Sequence, residues 1–290
     1  MASDPFLLLI GTGNPAPRRH RAGSSTLVWL GDRGLLIDLG PGAAQSLWDA
    51  GVDPCDVTDL FFTHHHFDHN ADYGHFVLSR WDQGAGRGDT LNVYGPAPTQ
   101  RITQLLFGDD GVYGPDLSAR TQHPLSQRIF QLRGGSMPRV RPSLTVRELA
   151  EGDAADGDGW KVRTGPAVHA QPYLTSLAYR IDAPSVSVVI SGDTRPIPQM
   201  IDLARGAHTL VHMSMDLEAD IARWPEINAT CAGPIGAGEI AAKAGVQRLV
   251  LVHLGERMDG PARQDAMVAE AKSVFRGEVV CGADRLTLRF

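Results

Sequence analysis

Cysteine is scarce in this chain, with Cys55, Cys231 and Cys281 the three examples in 290 residues. An odd number at wide spacing supports neither a disulfide framework nor a cysteine-based metal site, so a reducing cytoplasm is the expected compartment. Lysine is equally rare, limited to Lys161, Lys243 and Lys272, and 33 acidic residues outnumber the 27 basic ones. The resulting net charge of −6 creates no overall field to draw in a polyanion, which argues against nucleic acid as a partner. No stretch reaches the about 18 consecutive apolar residues of a membrane span. The run Phe6-Leu7-Leu8-Leu9-Ile10 is too short for a signal-peptide core and lacks a basic flank, so no membrane association is expected.

Histidine, by contrast, is concentrated. Residues 63 to 70 read Thr-His-His-His-Phe-Asp-His-Asn, directly after the apolar Leu60-Phe61-Phe62. The pattern His64-x-His66-x-Asp68-His69 collects imidazole and carboxylate, the ligand types that suit a borderline divalent ion such as zinc. Alternate residues of an extended chain share a face, so His64 and His66 point together while His65 turns away, to packing or to support of the ligands from behind. A helical turn at Asp68 would carry Asp68 and His69 round towards a second ion.

Such a loop does not close two sites alone, and further ligand types stand at other strand ends. His169 follows Gly165-Pro166-Ala167-Val168, and Asp193 ends the β-branched run Val186-Ser187-Val188-Val189-Ile190 through Ser191-Gly192. His253 closes Arg248-Leu249-Val250-Leu251-Val252. His212 ends Thr209-Leu210-Val211 in the same way.

Taken together, these residues resemble the metallo-β-lactamase superfamily of binuclear metal hydrolases over nearly the whole chain. The resemblance implies His64, His66 and His169 on a first metal, Asp68, His69 and His253 on a second, and Asp193 bridging both. It also implies a structural Asp38 in Leu35-Leu36-Ile37-Asp38-Leu39-Gly40-Pro41-Gly42, and the four-layer αβ/βα sandwich of two packed mixed β-sheets with helices outside. Two divalent ions are then the expected cofactor, zinc first, with manganese or iron admissible. An acidic residue would replace His66 in a diiron redox relative, so His66 points to hydrolysis.

Within that superfamily, Leu9-Ile10-Gly11-Thr12-Gly13-Asn14-Pro15 and Ser191-Gly192-Asp193-Thr194 are similar to the ribonuclease Z and arylsulfatase-like branch. Met213 and Asn228 stand where ribonuclease Z carries a Glu and a His, and no long basic Gly/Pro-rich arm is visible. The expected substrate is therefore a small-molecule ester, lactone or sulfate/phosphate ester. The alternative is a phosphodiesterase or nuclease of the ribonuclease Z type, or a dehalogenase of an activated aromatic ring. A hydroxide held between the metals would be the nucleophile, Asp68 an orienting or proton-accepting carboxylate, and His212 the leaving-group acid. Trp81, Tyr73, Phe76, Tyr113, Trp224 and Tyr173 offer an aromatic rim, although core packing accounts for most aromatics.

Strands are expected over Phe6 to Ile10, Thr26 to Leu30, Gly34 to Leu39 and Leu91 to Tyr94. Helices are expected over Ala43 to Ala50, Thr99 to Phe107, Pro198 to Arg205, Ala237 to Ala244 and Pro261 to Phe275. The chain reads as a single domain, residues 1–290. Its segment 108–158, rich in Gly, Pro and Asp, reads as an insertion, and residues 108–141 of it as a lid or homodimer contact. Arginine clusters at 17–21 and 138–141 read as solvated loops.

Overall fold

The computed structural model describes residues 4–87 and 90–290. The first part of the chain contains β1 (Phe6–Gly11), β2 (Ser25–Leu30), β3 (Arg33–Ile37), α1 (Ala43–Asp49), β4 (Val57–Phe61), α2 (Phe67–Asn70) and α3 (Tyr73–Gln83). It continues through β5 (Leu91–Gly95), α4 (Thr99–Phe107), α5 (Gly114–Gln122), α6 (Pro124–Leu132) and β6 (Leu144–Glu148). The second part contains β7 (Ala154–Gly157), β8 (Trp160–Pro166), β9 (Leu177–Ala183), β10 (Val186–Ile190), α7 (Pro198–Ala204), β11 (Thr209–Met213) and α8 (Glu218–Ala222). After it come α9 (Pro225–Asn228), α10 (Pro234–Ala244), β12 (Arg248–Val252), α11 (Pro261–Val274), β13 (Glu278–Cys281) and β14 (Leu286–Arg289).

Strand β1 shows why the apolar runs are continuous rather than alternating. Leu7 and Leu9 enter one core cluster and Leu8 and Ile10 another, so both strand faces are covered. The shared inner cluster joins Leu35, Ile37 and Phe61 of one sheet to Val162, Tyr179, Val188, Val211 and Val250 of the other. Outside it, α1, α3 and α4 cover the first sheet, while α7, α10 and α11 cover the second. This is the αβ/βα sandwich that the motifs imply.

Each sheet has seven strands, ordered β14-β1-β2-β3-β4-β5-β6 and β13-β12-β11-β10-β9-β8-β7. From β14 to β3 the neighbours are antiparallel, and from β3 to β6 parallel. The second sheet repeats the pattern, antiparallel from β7 to β10 and parallel from β10 to β13. A twofold likeness invisible in the letters is thus plain in the topology. The carboxyl ends of β3, β4, β10, β11 and β12 deliver Asp38, the His64 loop, Asp193, Met213 and His253 to one place, the usual address of sites in such sheets.

Two expectations need correction. The segment 108–158 is not one excursion, because it includes β6 and β7, which are edge strands of the two sheets. Its helical part, α5 and α6, is tied to α3 through Asp82, which accepts from Arg120, Arg133 and Arg139 at 2.8–3.0 Å. The arginine clusters are pins rather than solvated loops. Arg139 is buried and stacks over Trp81 at 4.1 Å, while Arg18 and Arg21 both pair with Asp259. Local charge density reads as solvation until tertiary structure supplies the partner. No helix among the described residues is long and apolar enough to cross a membrane.

Candidate metal centre

The chain leaves β4 through Phe62 and Thr63, stays extended to His66 (φ −67°, ψ 149°), and turns into α2. This conversion from extended to helical backbone carries Asp68 and His69 away from His64 and His66. Two groups result: His64, His66, His169 and Asp193, and Asp68, His69, Asp193 and His253. Within each, one ligand atom per residue lies within 4.8 Å of the others, and Asp193 belongs to both.

In the first group, His64 Nε2 stands 3.0 Å and His169 Nε2 3.2 Å from His66 Nδ1. Asp193 Oδ2 is 3.6 Å from His169 Nε2 and 4.0 Å from His64 Nε2. In the second, His253 Nε2 lies 3.0 Å from Asp193 Oδ2 and 3.2 Å from Asp68 Oδ2. His69 Nε2 is 3.4 Å from Asp193 Oδ1 and 3.6 Å from Asp68 Oδ2.

The opposite ring nitrogens determine the tautomers. His69 Nδ1 donates to Asp38 Oδ2 (2.8 Å), His64 Nδ1 to Thr63 Oγ1 (3.0 Å) and His169 Nδ1 to the Thr230 carbonyl (3.1 Å). Asp38 also accepts from the Thr63 amide and hydroxyl, both at 2.7 Å. With these protons placed by the network, the Nε2 lone pairs converge inwards, and buried His69 Nε2 has no hydrogen-bond partner. Convergent lone pairs with two carboxylates form a donor set suited to divalent cations.

The electrostatics agree. Burial pushes the Asp193 carboxyl upwards, but the His253 and His69 imidazoles outweigh it and hold it well below the usual range. The same balance lowers Asp68. Burial works against a charged His253, yet Asp193 raises it to about 9, and Asp193 with Asp38 raises His69 well above its ordinary value. The carboxylates demand positive charge, which protons or metal ions can satisfy in competition. Burial and the neighbouring His69 depress His64, and burial with His169 depresses His66.

Backbone detail serves the same place. Asp38 (φ 60°) and His253 (φ 58°) are left-handed, a conformation costing about 1–3 kcal/mol in a non-glycine residue. Gly192 is also left-handed, and a Cβ there would approach Thr63 Cβ to 2.8 Å, so the turn into Asp193 requires glycine.

His65 turns away as expected, with Nε2 2.8 Å from Thr99 Oγ1 and Nδ1 3.1 Å from Asn70 Nδ2. His212 does not serve as expected. It is fully buried, its Nδ1 donates to the Met213 carbonyl, and burial lowers it to about 4. Its neighbours on the strand, Val211 and Met213, line a cavity with Asp38, His69, Asp193 and His253. His212 therefore lies on the face with Leu210, towards the helix layer, and is no leaving-group acid. Met213 Sδ instead accepts from the Thr194 amide at 2.9 Å, bracing the loop after Asp193. Asn228 lies in α9, whereas Cys231 and Ala232 pack on Met213 ahead of α10.

Sequence reasoning missed the Thr230 carbonyl, since any residue type carries one, and Thr63, whose signal was adjacency to His64. Of the proposed aromatic rim, Tyr73 and Phe76 belong to the core and Trp81 and Tyr113 pack on it. Tyr173 and Trp224 are exposed, as is Phe67.

A family model described as the metallo-beta-lactamase superfamily matches residues 18–223. The chain belongs to the metallo-β-lactamase superfamily and is a metal-dependent hydrolase of its ribonuclease Z branch. It is 31% identical over 281 residues to a ribonuclease Z of Mycobacterium sp. (strain KMS), covering 95% of this chain and 93% of that protein. Ribonuclease Z of Mycobacterium avium (strain 104) is 32% identical, with 95% of each covered. Among solved structures, the metallo-beta-lactamase fold protein YhfI from Bacillus subtilis aligns at TM-score 0.76 and 22% identity, over 99% of this chain and 100% of that one. Human tRNase Z, short form, aligns at 0.69 and 16%, with 98% of each covered. The relatives overturn the expectation of a small-molecule substrate with nucleic acid disfavoured, because curated relatives along nearly the full length are ribonucleases. Net charge sums the whole surface and carries no information about any one local site.

Proposed function

We propose that this chain is a binuclear phosphodiesterase that cleaves RNA, as the names of its relatives indicate for them. The carrying observation is the pair of ligand groups sharing Asp193. His64, His66 and His169 would hold one ion, Asp68, His69 and His253 the other, and Asp193 both. Zinc suits this donor set. Two such ions, when bound, supply Lewis acidity and bring the pKa of water from ~15.7 towards ~7.

The chain's own residues position and buffer. Asp38, Thr63 and the Thr230 carbonyl fix the imidazoles so that binding needs no ring reorientation. Asp68, whose Oδ2 lies 3.2 Å from His253 Nε2, would orient the attacking water and accept its proton. The free cysteines Cys55, Cys231 and Cys281 fit a reducing cytoplasm, where RNA is available.

The test is metal content by elemental analysis together with hydrolysis of bis-p-nitrophenyl phosphate, a precursor transfer RNA, p-nitrophenyl acetate and a lactone. Close to two ions per chain with turnover on both phosphodiesters is expected. Turnover confined to the carboxylic ester or lactone would overturn the RNA reading.

A further inference from the structure

Burial is uneven around the centre. His64, Asp68, His69, Asp193 and His253 are each at most 4% exposed, whereas His66 and His169 are partly open. The centre is therefore open to solvent at His66 and His169. Three large aromatic side chains stand exposed on the segments that carry or support those two residues. Phe67, 58% exposed, follows His66 directly. Tyr173, 90% exposed, projects from the turn after His169 in which the Tyr173 amide donates to the Ala170 carbonyl. Trp224, 54% exposed, begins the short α9 excursion that returns to Thr230, whose carbonyl accepts from His169.

Exposing such rings to water has no folding benefit, since burial of each would contribute favourably. Apart from these three, Trp48 is the remaining large aromatic among the exposed hydrophobics, and it lies on α1. Arg195 is tied to the same segment, its amide donating to the Val168 carbonyl next to His169. Arg195 is exposed and makes no ion pair among the described residues.

From this juxtaposition we infer that Phe67, Tyr173 and Trp224 form a stacking rim for unpaired nucleobases flanking the scissile phosphate, with Arg195 on the neighbouring backbone phosphate. The inference deepens the RNA reading above and rests on it. Unstacked bases offer π-faces that aromatic rings take up without sequence preference, so the rim selects single-stranded RNA over a duplex, whose bases are already stacked. Each ring is a substrate-positioning residue and takes no part in bond cleavage. Arg195 adds a salt-dependent term insensitive to base identity.

The test is binding to metal-loaded protein of a fluorescent, cleavage-resistant phosphorothioate RNA strand about eight nucleotides long. The same strand without bases and the same strand in a duplex are compared. Wild-type protein is expected to prefer the base-bearing strand over both. Trp224→Ala, Tyr173→Ala and Phe67→Ala should each weaken it by about 5- to 150-fold, with little change for the abasic strand. Trp224→Phe and Phe67→Tyr should restore most of the loss. Arg195→Ala should weaken base-bearing and abasic strands alike and flatten the salt dependence. Equal wild-type affinity for base-bearing and abasic strands would overturn the rim. Retained base preference without cleavage of any phosphodiester would support the rim and overturn the hydrolase's proposed substrate instead.

Discussion

The two halves of the metal centre differ in how they are built. Asp68, His69 and His253 are fully enclosed, and two left-handed residues, Asp38 and His253, hold that half in place. The half built on His64, His66 and His169 relies on a single shared carboxylate and opens to solvent at His66 and His169. Carboxylates attract cations and burial strengthens that attraction, so the closed half should bind its ion more tightly. The open half gives up some affinity and gains contact with solvent. Strain is therefore concentrated where rigidity is needed, and exposure where chemistry must reach the solvent side.

Replacing the shared ligand removes the contrast altogether. Asp193→Ala should lose both ions, with elemental analysis falling from near two per chain to near none and hydrolysis falling to the metal-free level. Retention of two tightly held ions in that variant would refute the shared role. His169→Ala should separate the halves, leaving close to one ion per chain, held by Asp68, His69 and His253. If the remaining ion proved the weaker one in a chelator titration, the ranking of the halves would be reversed.

A subtler change acts on the closed half from outside. Asp38→Asn keeps a residue that tolerates positive φ but weakens the acceptor for His69 and Thr63. Affinity for the second ion should fall about 10- to 100-fold, with the first less affected.

The smallest effect on the centre should come from Asp82, which pins α5 and α6 to α3. Burial raises its carboxyl, but bonds from Arg139 and Arg133 prevail and lower it. Its contribution to stability is thus complete above the ordinary aspartate value of ~3.9 and lost as pH falls through the lowered value. Asp82→Asn should cost about 1–3 kcal/mol in urea unfolding at neutral pH and lessen acid sensitivity, with metal content unchanged. A loss of metal in this variant would show that the insert supports the centre.

Much of the fold was legible because buried strands announce themselves. Val186 to Ile190 and Arg248 to Val252 are apolar on both faces, and helix α4 matches its expected limits from Thr99 to Phe107. Helices α5 and α6 were not legible, since α6 buries no residue fully and its sequence is interrupted by Gly- and Pro-rich neighbours. Met213 and His212 illustrate a finer limit. Which of two adjacent residues faces the site depends on strand register against the helix layer, and a period of two gives no preference without that reference.

Local chemistry in the letters determined the kind of site: alternate histidines on an extended segment, then a carboxylate and imidazole on the first helical turn, with further ligand types at strand ends. Tertiary structure decided the rest. Folding two sheets together brought His169, Asp193 and His253 onto that loop, supplied Asp38 and the Thr230 carbonyl as anchors, and removed His212 from it. Such contacts join residues remote in sequence, and their geometry is set by how the two inner faces pack, a property of neither segment alone.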